Sequence, residues 1–62
     1  MNPEYVWAIE SRSDNLFQMH YVAVETEADA RQMAQERNIT VTEIKRVLNV
    51  THLVAGEWRQ WM

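Results

Sequence analysis

Two alternating stretches joined by a short polar segment constrain the fold of this chain more than any other feature. In the first stretch, Tyr5, Trp7 and Ile9 occupy every second position, and the second stretch, residues 16–24, reads LFQMHYVAV. The residues between them, 11–15, read SRSDN and are turn formers. Because a period of two is typical of β-strands, we predict an antiparallel hairpin whose Tyr5–Trp7–Ile9 face points inward.

A helix is predicted from Glu27 to Arg37, where strong helix formers follow one another without a β-branched residue. Thr26 precedes this segment as an N-cap, and Asn38 follows it as a residue that tolerates the left-handed conformation of a helix stop. The apolar stripe of the helix consists of small or flexible residues, Ala30, Met33 and Ala34. We therefore expect the helix to lie close to the hairpin, with the hairpin aromatics forming the core against it.

The segment from residue 40 to residue 54 favours a third strand, because eight of its fifteen residues are β-branched. Its alternation is imperfect, and a bulge or break is expected near Asn49. Residues 55–57 can turn the chain, so that Trp58–Met62 could form a short fourth strand. The prediction is a single α+β domain over residues 1–62, with one helix on one face of an antiparallel sheet and the order strand–strand–helix–strand, with a possible further strand.

Composition removes several classes of function. The chain has no cysteine, so it can form neither disulfides nor cysteine-ligated metal centres. Its single glycine excludes a glycine-rich phosphate loop, and its net charge of −3 argues against general attraction to nucleic acid or to anionic lipid. The apolar stretches are too short to cross a membrane, and the start, MNPEYVW, lacks the features of a secretory signal. We expect a cytoplasmic protein.

No arrangement of residues in the sequence predicts catalysis. His20 and His52 are the only histidines, and neither has an acidic residue at helical metal-ligand spacing. Ser11 and Ser13 lie in the predicted turn with no histidine nearby in sequence, which disfavours a nucleophile. We therefore expect a non-enzymatic protein with no cofactor and no metal site.

The segment 30–49 also resembles the helix-turn-helix motif of DNA-binding repressors. Its sequence is ARQMAQERNITVTEIKRVLN, in which Thr40 and Glu43 would form a capping box for a second helix carrying Lys45 and Arg46. The residues at the positions where such helices pack together are Ala34, Ile39, Ile44 and Val47. A DNA-binding regulator is therefore an alternative, although the second helix would be rich in β-branched residues and the chain is acidic.

A second resemblance covers more of the chain. The segment VWAIESRSDNLFQMHYVAVETEADARQMA, followed by TEIKRV, resembles the small proteins by which certain lytic phages inhibit the RNA polymerase of their bacterial host. Small anti-CRISPR proteins share a similar layout of hairpin, helix and terminal strands. The resemblance implies a non-enzymatic phage or mobile-element protein that blocks a host complex, either RNA polymerase or a CRISPR effector.

The phage-inhibitor resemblance also implies roles for individual residues. Arg46 falls on one of the arginine positions of the third strand that bind polymerase, and Glu27 falls on an acidic strip that occupies the channel for promoter DNA. The second arginine position is Leu48 in this chain, and an acidic position in the hairpin is Ser11. The tail that carries Trp58 and Trp61 has no counterpart in the family.

Side-chain directions separate the candidate binding residues. On a strand, Lys45 and Arg46 point to opposite faces, and so do Trp58 and Trp61, which predicts that one of the two tryptophans is exposed. We predict partner binding by the following residues: Glu27, Asp29, Lys45, Arg46, Trp58 and Trp61. A homodimer formed by pairing of sheet edges is a further alternative.

Overall fold

The computed structural model describes residues 2–61, which form one sheet and one helix. The elements are β1 (Tyr5–Arg12), β2 (Phe17–Val22), α1 (Glu27–Glu36), β3 (Glu43–Leu48) and β4 (Trp58–Gln60). All neighbouring strands are antiparallel, and their order across the sheet is β3-β1-β2-β4. The predicted α+β class and element order are confirmed. The fourth strand is shorter than predicted, and the Met62 end of that prediction lies outside the described residues.

The hairpin of β1 and β2 is the centre of the sheet. Trp7 lies opposite Val22 and Arg12 opposite Phe17. The turn is closed by a hydrogen bond from the Ser13 amide to the Leu16 carbonyl at 2.8 Å. A polar turn joins the strands as predicted, but it begins later, because Ser11 and Arg12 belong to β1. Strands β3 and β4 then pair with the two outer sides of this hairpin.

Helix α1 begins and ends as the sequence indicates. The Asp29 amide donates to the Thr26 hydroxyl oxygen at 3.1 Å, which satisfies one of the free amides of the first turn. At the other end, Asn38 adopts a positive φ of 58° directly after the capping residue Arg37. The helix therefore has the predicted start and stops one residue before the predicted end.

Each face of the sheet is partly covered, whereas the sequence indicated a cover on one face only. We call the face under α1 the helix side, and there Ile9 and Val22 are fully buried against Ala30 and Ala34. We call the opposite face the far side. On it, Val6 and Ala23 are buried by Leu53, which comes from the β3–β4 connection and is completely inaccessible.

The expected core of hairpin aromatics is wrong in its composition. Because Trp7 lies opposite Val22, the alternate β2 residues Phe17 and Tyr21 lie on the far side, away from α1. Phe17 is exposed, and Tyr5 at the start of β1 is 39% exposed. Aliphatic residues and alanines form the buried core on the helix side, with Trp7 packed partly buried at its margin.

Asn49 fixes the connection that carries Leu53. Its side-chain amide donates to the carbonyl of Pro3 at 2.8 Å and to that of Leu53 at 2.9 Å, and its side-chain oxygen accepts from the Leu53 amide at 2.9 Å. The strand predicted over 40–54 therefore ends at Leu48, consistent with the expected break near Asn49. Gly56 later turns the chain into β4 with a φ of 83°.

The structure corrects the helix-turn-helix alternative. The second helix of that motif would include residues 43–48, and these form strand β3, paired with β1 from Tyr5↔Leu48 to Glu10↔Glu43. The β-branched residues of this segment favour a strand over a helix. Pairing with β1 then satisfies the backbone groups of β3 that face β1. Within residues 2–61, no helix has the length and apolar character that crossing a membrane requires.

Candidate protein-binding surface

The short helix covers only part of the helix side. With ten residues, α1 packs over Ile9, Val22 and the partly buried Ile44. Beyond it, where β1 begins and β3 ends, lie four residues whose side chains share the helix side. We call them the open patch: Tyr5, Trp7, Arg46 and Leu48. Leu48 is 56% exposed, so this part of the sheet presents apolar surface directly to solvent.

Arg46 is the charged group of the open patch. Its guanidinium carbon lies 4.2 Å from the centre of the Tyr5 ring, within the range of a cation–π contact. It lies across the strand pair from Trp7. Arg46 makes no ion pair or hydrogen bond with any other residue in the described range 2–61. Tyr5 therefore holds the guanidinium of Arg46 over its ring, while the N–H donors remain available to an acceptor from outside the chain.

A groove runs beside Arg46 between the sheet and the segment that leads into α1. Its volume is about 440 Å³, and it opens widely to solvent. Its lining includes Tyr5, Trp7 and Arg46 of the sheet and the carboxylates of Glu4 and Glu25. The groove thus combines aromatic rings, a free guanidinium and two carboxylates, which is a composition suited to contact with a protein surface.

Lys45, the neighbour of Arg46 in sequence, lies on the other face of the sheet. It is exposed and faces Ala8 on the far side. The prediction that Lys45 and Arg46 point in opposite directions is confirmed. Lys45 and Arg46 therefore do not belong to one surface of the sheet.

The acidic residues Glu27 and Asp29 are exposed in the first turn of α1. Glu27 accepts from Arg31 at 2.8 Å in a pair one helical turn apart, so much of its charge is balanced locally. Asp29 has no cationic partner among residues 2–61. Neither of the two lines the groove, whereas Glu25 does.

Trp58 belongs to a compact set of contacts that we call the closed cluster: His20, Arg37 and Trp58. The indole N–H of Trp58 donates to Nδ1 of His20 at 3.2 Å, and the two rings lie 5.1 Å apart between centres. Arg37 lies over the Trp58 ring at 4.6 Å. The predicted binding residue Trp58 is therefore partly buried and engaged within the chain.

The hydrogen bonds of His20 define its neutral form. Nδ1 accepts from Trp58, so the ring proton lies on Nε2, which reaches the Gln18 side-chain oxygen at 3.3 Å. Burial lowers the pKa of His20 below 6.5, and the nearby positive charge of Arg37 lowers it further. His20 is thus a structural residue with both ring nitrogens occupied.

Trp61 lies far from Arg46, at the opposite edge and on the opposite face. Its amide donates to the Met19 carbonyl at 2.7 Å, and its ring meets the edge of Tyr21 at 6.0 Å on the far side. Trp61 is 56% exposed, which confirms that one of the two terminal tryptophans faces solvent.

Arg46 is the one residue of the open patch that the sequence assigned to the binding set, and its role in binding stays a prediction. Tyr5 and Trp7, its neighbours in the patch, were expected in the core. The length of the helix could have indicated that Tyr5 and Trp7 are not fully covered, because about 15 Å of helix cannot cover the whole of β1. The six predicted residues do not converge on one site.

Comparison with known proteins found no relative of this chain. No family model, no curated protein and no solved structure matches this chain. Within residues 2–61, no group of three potential metal-ligating side chains comes together.

Proposed function

We propose that this chain is a small non-catalytic protein that binds a complex of a bacterial host cell and blocks it. The candidate targets are RNA polymerase and a CRISPR effector complex, in accordance with the resemblances of the sequence. In this proposal the chain comes from a phage or another mobile element, acts in the host cytoplasm and works by occupying a surface. Arg46 of the open patch is the central contact.

The free guanidinium of Arg46 is the observation that carries the proposal. An arginine held against an aromatic ring loses less conformational freedom on binding than a mobile surface arginine does. Arginine, tyrosine and tryptophan are also the residues most enriched among those that dominate binding energy. Tyr5, Trp7 and Arg46 supply all three types around one groove.

The chemistry of the described residues supports binding more than catalysis. His20, which would be the natural general base, uses both ring nitrogens within the fold. The groove itself presents Arg46 and the carboxylates of Glu4 and Glu25, without a histidine or a serine. These groups can form ion pairs and hydrogen bonds with a partner.

The start of α1 contributes a second, electrostatic element to the proposal. Glu25 and Asp29 are exposed and have no cationic partner among residues 2–61, and the positive end of the helix dipole favours acidic side chains there. With Glu27, they form an acidic region that could compete with DNA for a basic channel. In the RNA polymerase case, we expect the variant Glu25→Gln/Asp29→Asn to inhibit promoter binding less than the wild type.

The direct test is binding to purified complexes measured by biolayer interferometry. We expect the wild-type chain to bind either bacterial RNA polymerase or a CRISPR effector complex, and Arg46→Ala to weaken that binding at least about tenfold. Arg12→Ala is the matched control, since Arg12 also lies over an aromatic ring, Phe17, but on the far side. Wild-type chain that binds neither complex, or Arg46→Ala binding equal to wild type, would contradict the proposal.

A further inference from the structure

The outer edge of β3 has the properties of a pairing site. Strand β3 has β1 as its single neighbour in the sheet and runs for six residues, Glu43–Leu48. The opposite edge is formed by β4, which has only three residues. An edge strand of this length presents a row of backbone donors and acceptors to any strand of matching pattern.

The hydrogen bonds around β3 show which of its residues face outward. The Asn49 amide donates to the Glu4 carbonyl directly across the strand pair at 2.8 Å. In an antiparallel ladder, residues alternate between bonding inward and bonding outward. Lys45 and Val47 therefore bond to β1, and the amide and carbonyl groups of Ile44 and Arg46 point away from it.

The hydrogen bonds at the start of β3 agree with this alternation of inward and outward residues. Thr42 donates to the Glu10 carbonyl at 2.8 Å, although Glu10 lies opposite Glu43. Two residues of this strand thus face one residue of β1, which is the pattern of a β-bulge. The alternation continues from Glu43 onward, so the outward orientation of Ile44 is consistent from both ends of the strand.

The geometry points to a second copy of this chain as the strand that pairs with this edge, with the two-fold axis at Ile44. The two β3 strands then run antiparallel, and the two sheets join into one. Ile44 of each copy exchanges backbone hydrogen bonds with Ile44 of the other copy. This inference is independent of the proposed function, because the side chain of Arg46 remains on the helix side.

Charge selects this register over its neighbours. An axis at Glu43, Lys45 or Arg46 would set that residue directly opposite itself, with like charges facing across the pair, which is unfavourable. An axis at Ile44 instead sets Glu43 opposite Lys45 twice, once on each side of the axis. Each of these pairs brings together opposite charges.

A register centred on Val47 avoids like charges but leaves Glu43 and Lys45 without a complementary partner. The backbone does not separate the two registers. Around Val47 the next pair shares the Leu48 carbonyl with the Val50 amide, and around Ile44 the next pair, Arg46 with Thr42 of the other copy, lacks the Thr42 amide, which already donates to Glu10. The opposite charges of Glu43 and Lys45 therefore select the axis at Ile44.

Glu43 and Lys45 are well suited to a test because both are exposed and neither is engaged elsewhere. Neither forms an ion pair or a side-chain hydrogen bond with another residue in the described part of the chain. Substitutions at these positions should therefore leave the monomer folded. Far-UV circular dichroism of each variant checks this directly.

The experiment measures mass by native mass spectrometry and by light scattering after size exclusion. We expect wild type to dimerise with rising concentration. Glu43→Lys and Lys45→Glu should each raise the dimer dissociation constant at least about tenfold, because two attractive contacts become repulsive. Mixing the two variants should restore dimers that contain one copy of each, and the double variant Glu43→Lys/Lys45→Glu should dimerise like wild type.

Two results would overturn the inference. One is a wild-type chain that stays monomeric over the whole concentration range. The other is a dimer that both single substitutions leave unchanged, which would locate the contact on another surface, such as the exposed Phe17 and Trp61 of the far side.

Discussion

Arg37 and Arg46 both lie over aromatic rings on the helix side, and their surroundings differ. Arg37 covers Trp58, whose indole N–H is bonded to the buried His20, so this stack closes the β2–β4 side of the sheet. Arg46 covers Tyr5, and nothing else in the described chain binds its guanidinium. The same contact thus completes the fold at one edge and leaves a surface free to bind at the other.

An arginine stacked on an aromatic ring can stabilise the fold or remain available for binding. Which of the two it does depends on whether the ring beneath it packs against the core. Trp58 packs against the buried cluster of Ile9 and Val22, whereas Tyr5 lies beyond the end of α1 and remains partly exposed. We therefore expect substitutions in the closed cluster to change stability and substitutions in the open patch to change binding.

The largest effect is expected from Trp58→Ala, which breaks the closed cluster. It removes a partly buried ring and leaves Nδ1 of His20 without its donor, at a cost of about 3 kcal/mol. That is a large share of the roughly 3–9 kcal/mol expected for a domain of this size. Urea unfolding followed by circular dichroism measures it. Trp61→Ala is the control and should cost under about 1 kcal/mol. Equal losses would contradict the distinction between the two tryptophans.

The next effect is the pH dependence that His20 imposes. Its pKa in the folded chain is lower than in the unfolded chain, mainly because of burial, so the unfolded chain takes up a proton first as the pH falls. The free energy of unfolding should therefore decrease from about pH 7 to about pH 5, starting near the ordinary histidine pKa. Urea unfolding at a series of pH values measures this slope, and His20→Gln should flatten it. A slope that survives this substitution would assign the effect to other groups.

The smallest effect distinguishes the two arginines directly. Arg37→Ala and Arg46→Ala should each reduce stability by about 0.5–1 kcal/mol through the lost cation–π contact. Only Arg37→Ala should raise the pKa of His20, because the charge of Arg37 contributes to the lowering of that pKa. Titration of the His20 ring by NMR measures the difference. An equal shift in both variants would show that the two stacks are not separate.

Local chemistry made most of the fold predictable. The alternating stretches and the polar turn indicated the hairpin, and Thr26 and Asn38 indicated both ends of α1. The β-branched residues before Asn49 indicated β3. These features depend on neighbours in sequence, and local rules describe them well.

The covering of the far side could not be predicted in the same way. Leu53 is buried because the side chain of Asn49 holds its backbone, and this depends on contacts between segments far apart in sequence, such as the bond to Pro3. The same reason explains why Tyr5 and Trp7 were placed in the core. Whether an inward-facing aromatic is covered depends on where α1 crosses the sheet, which no local pattern contains.

The β1–β3 side should be the free side of the molecule. The most direct test is amide hydrogen exchange in β3, followed by NMR at increasing protein concentration. We predict that the amides of Lys45 and Val47 are protected at every concentration, because they bond to β1. The Ile44 amide should exchange rapidly in dilute solution and become protected as the chain dimerises. An Ile44 amide that is protected even in dilute solution, or that stays unprotected at concentrations where the mass is that of a dimer, would contradict the account.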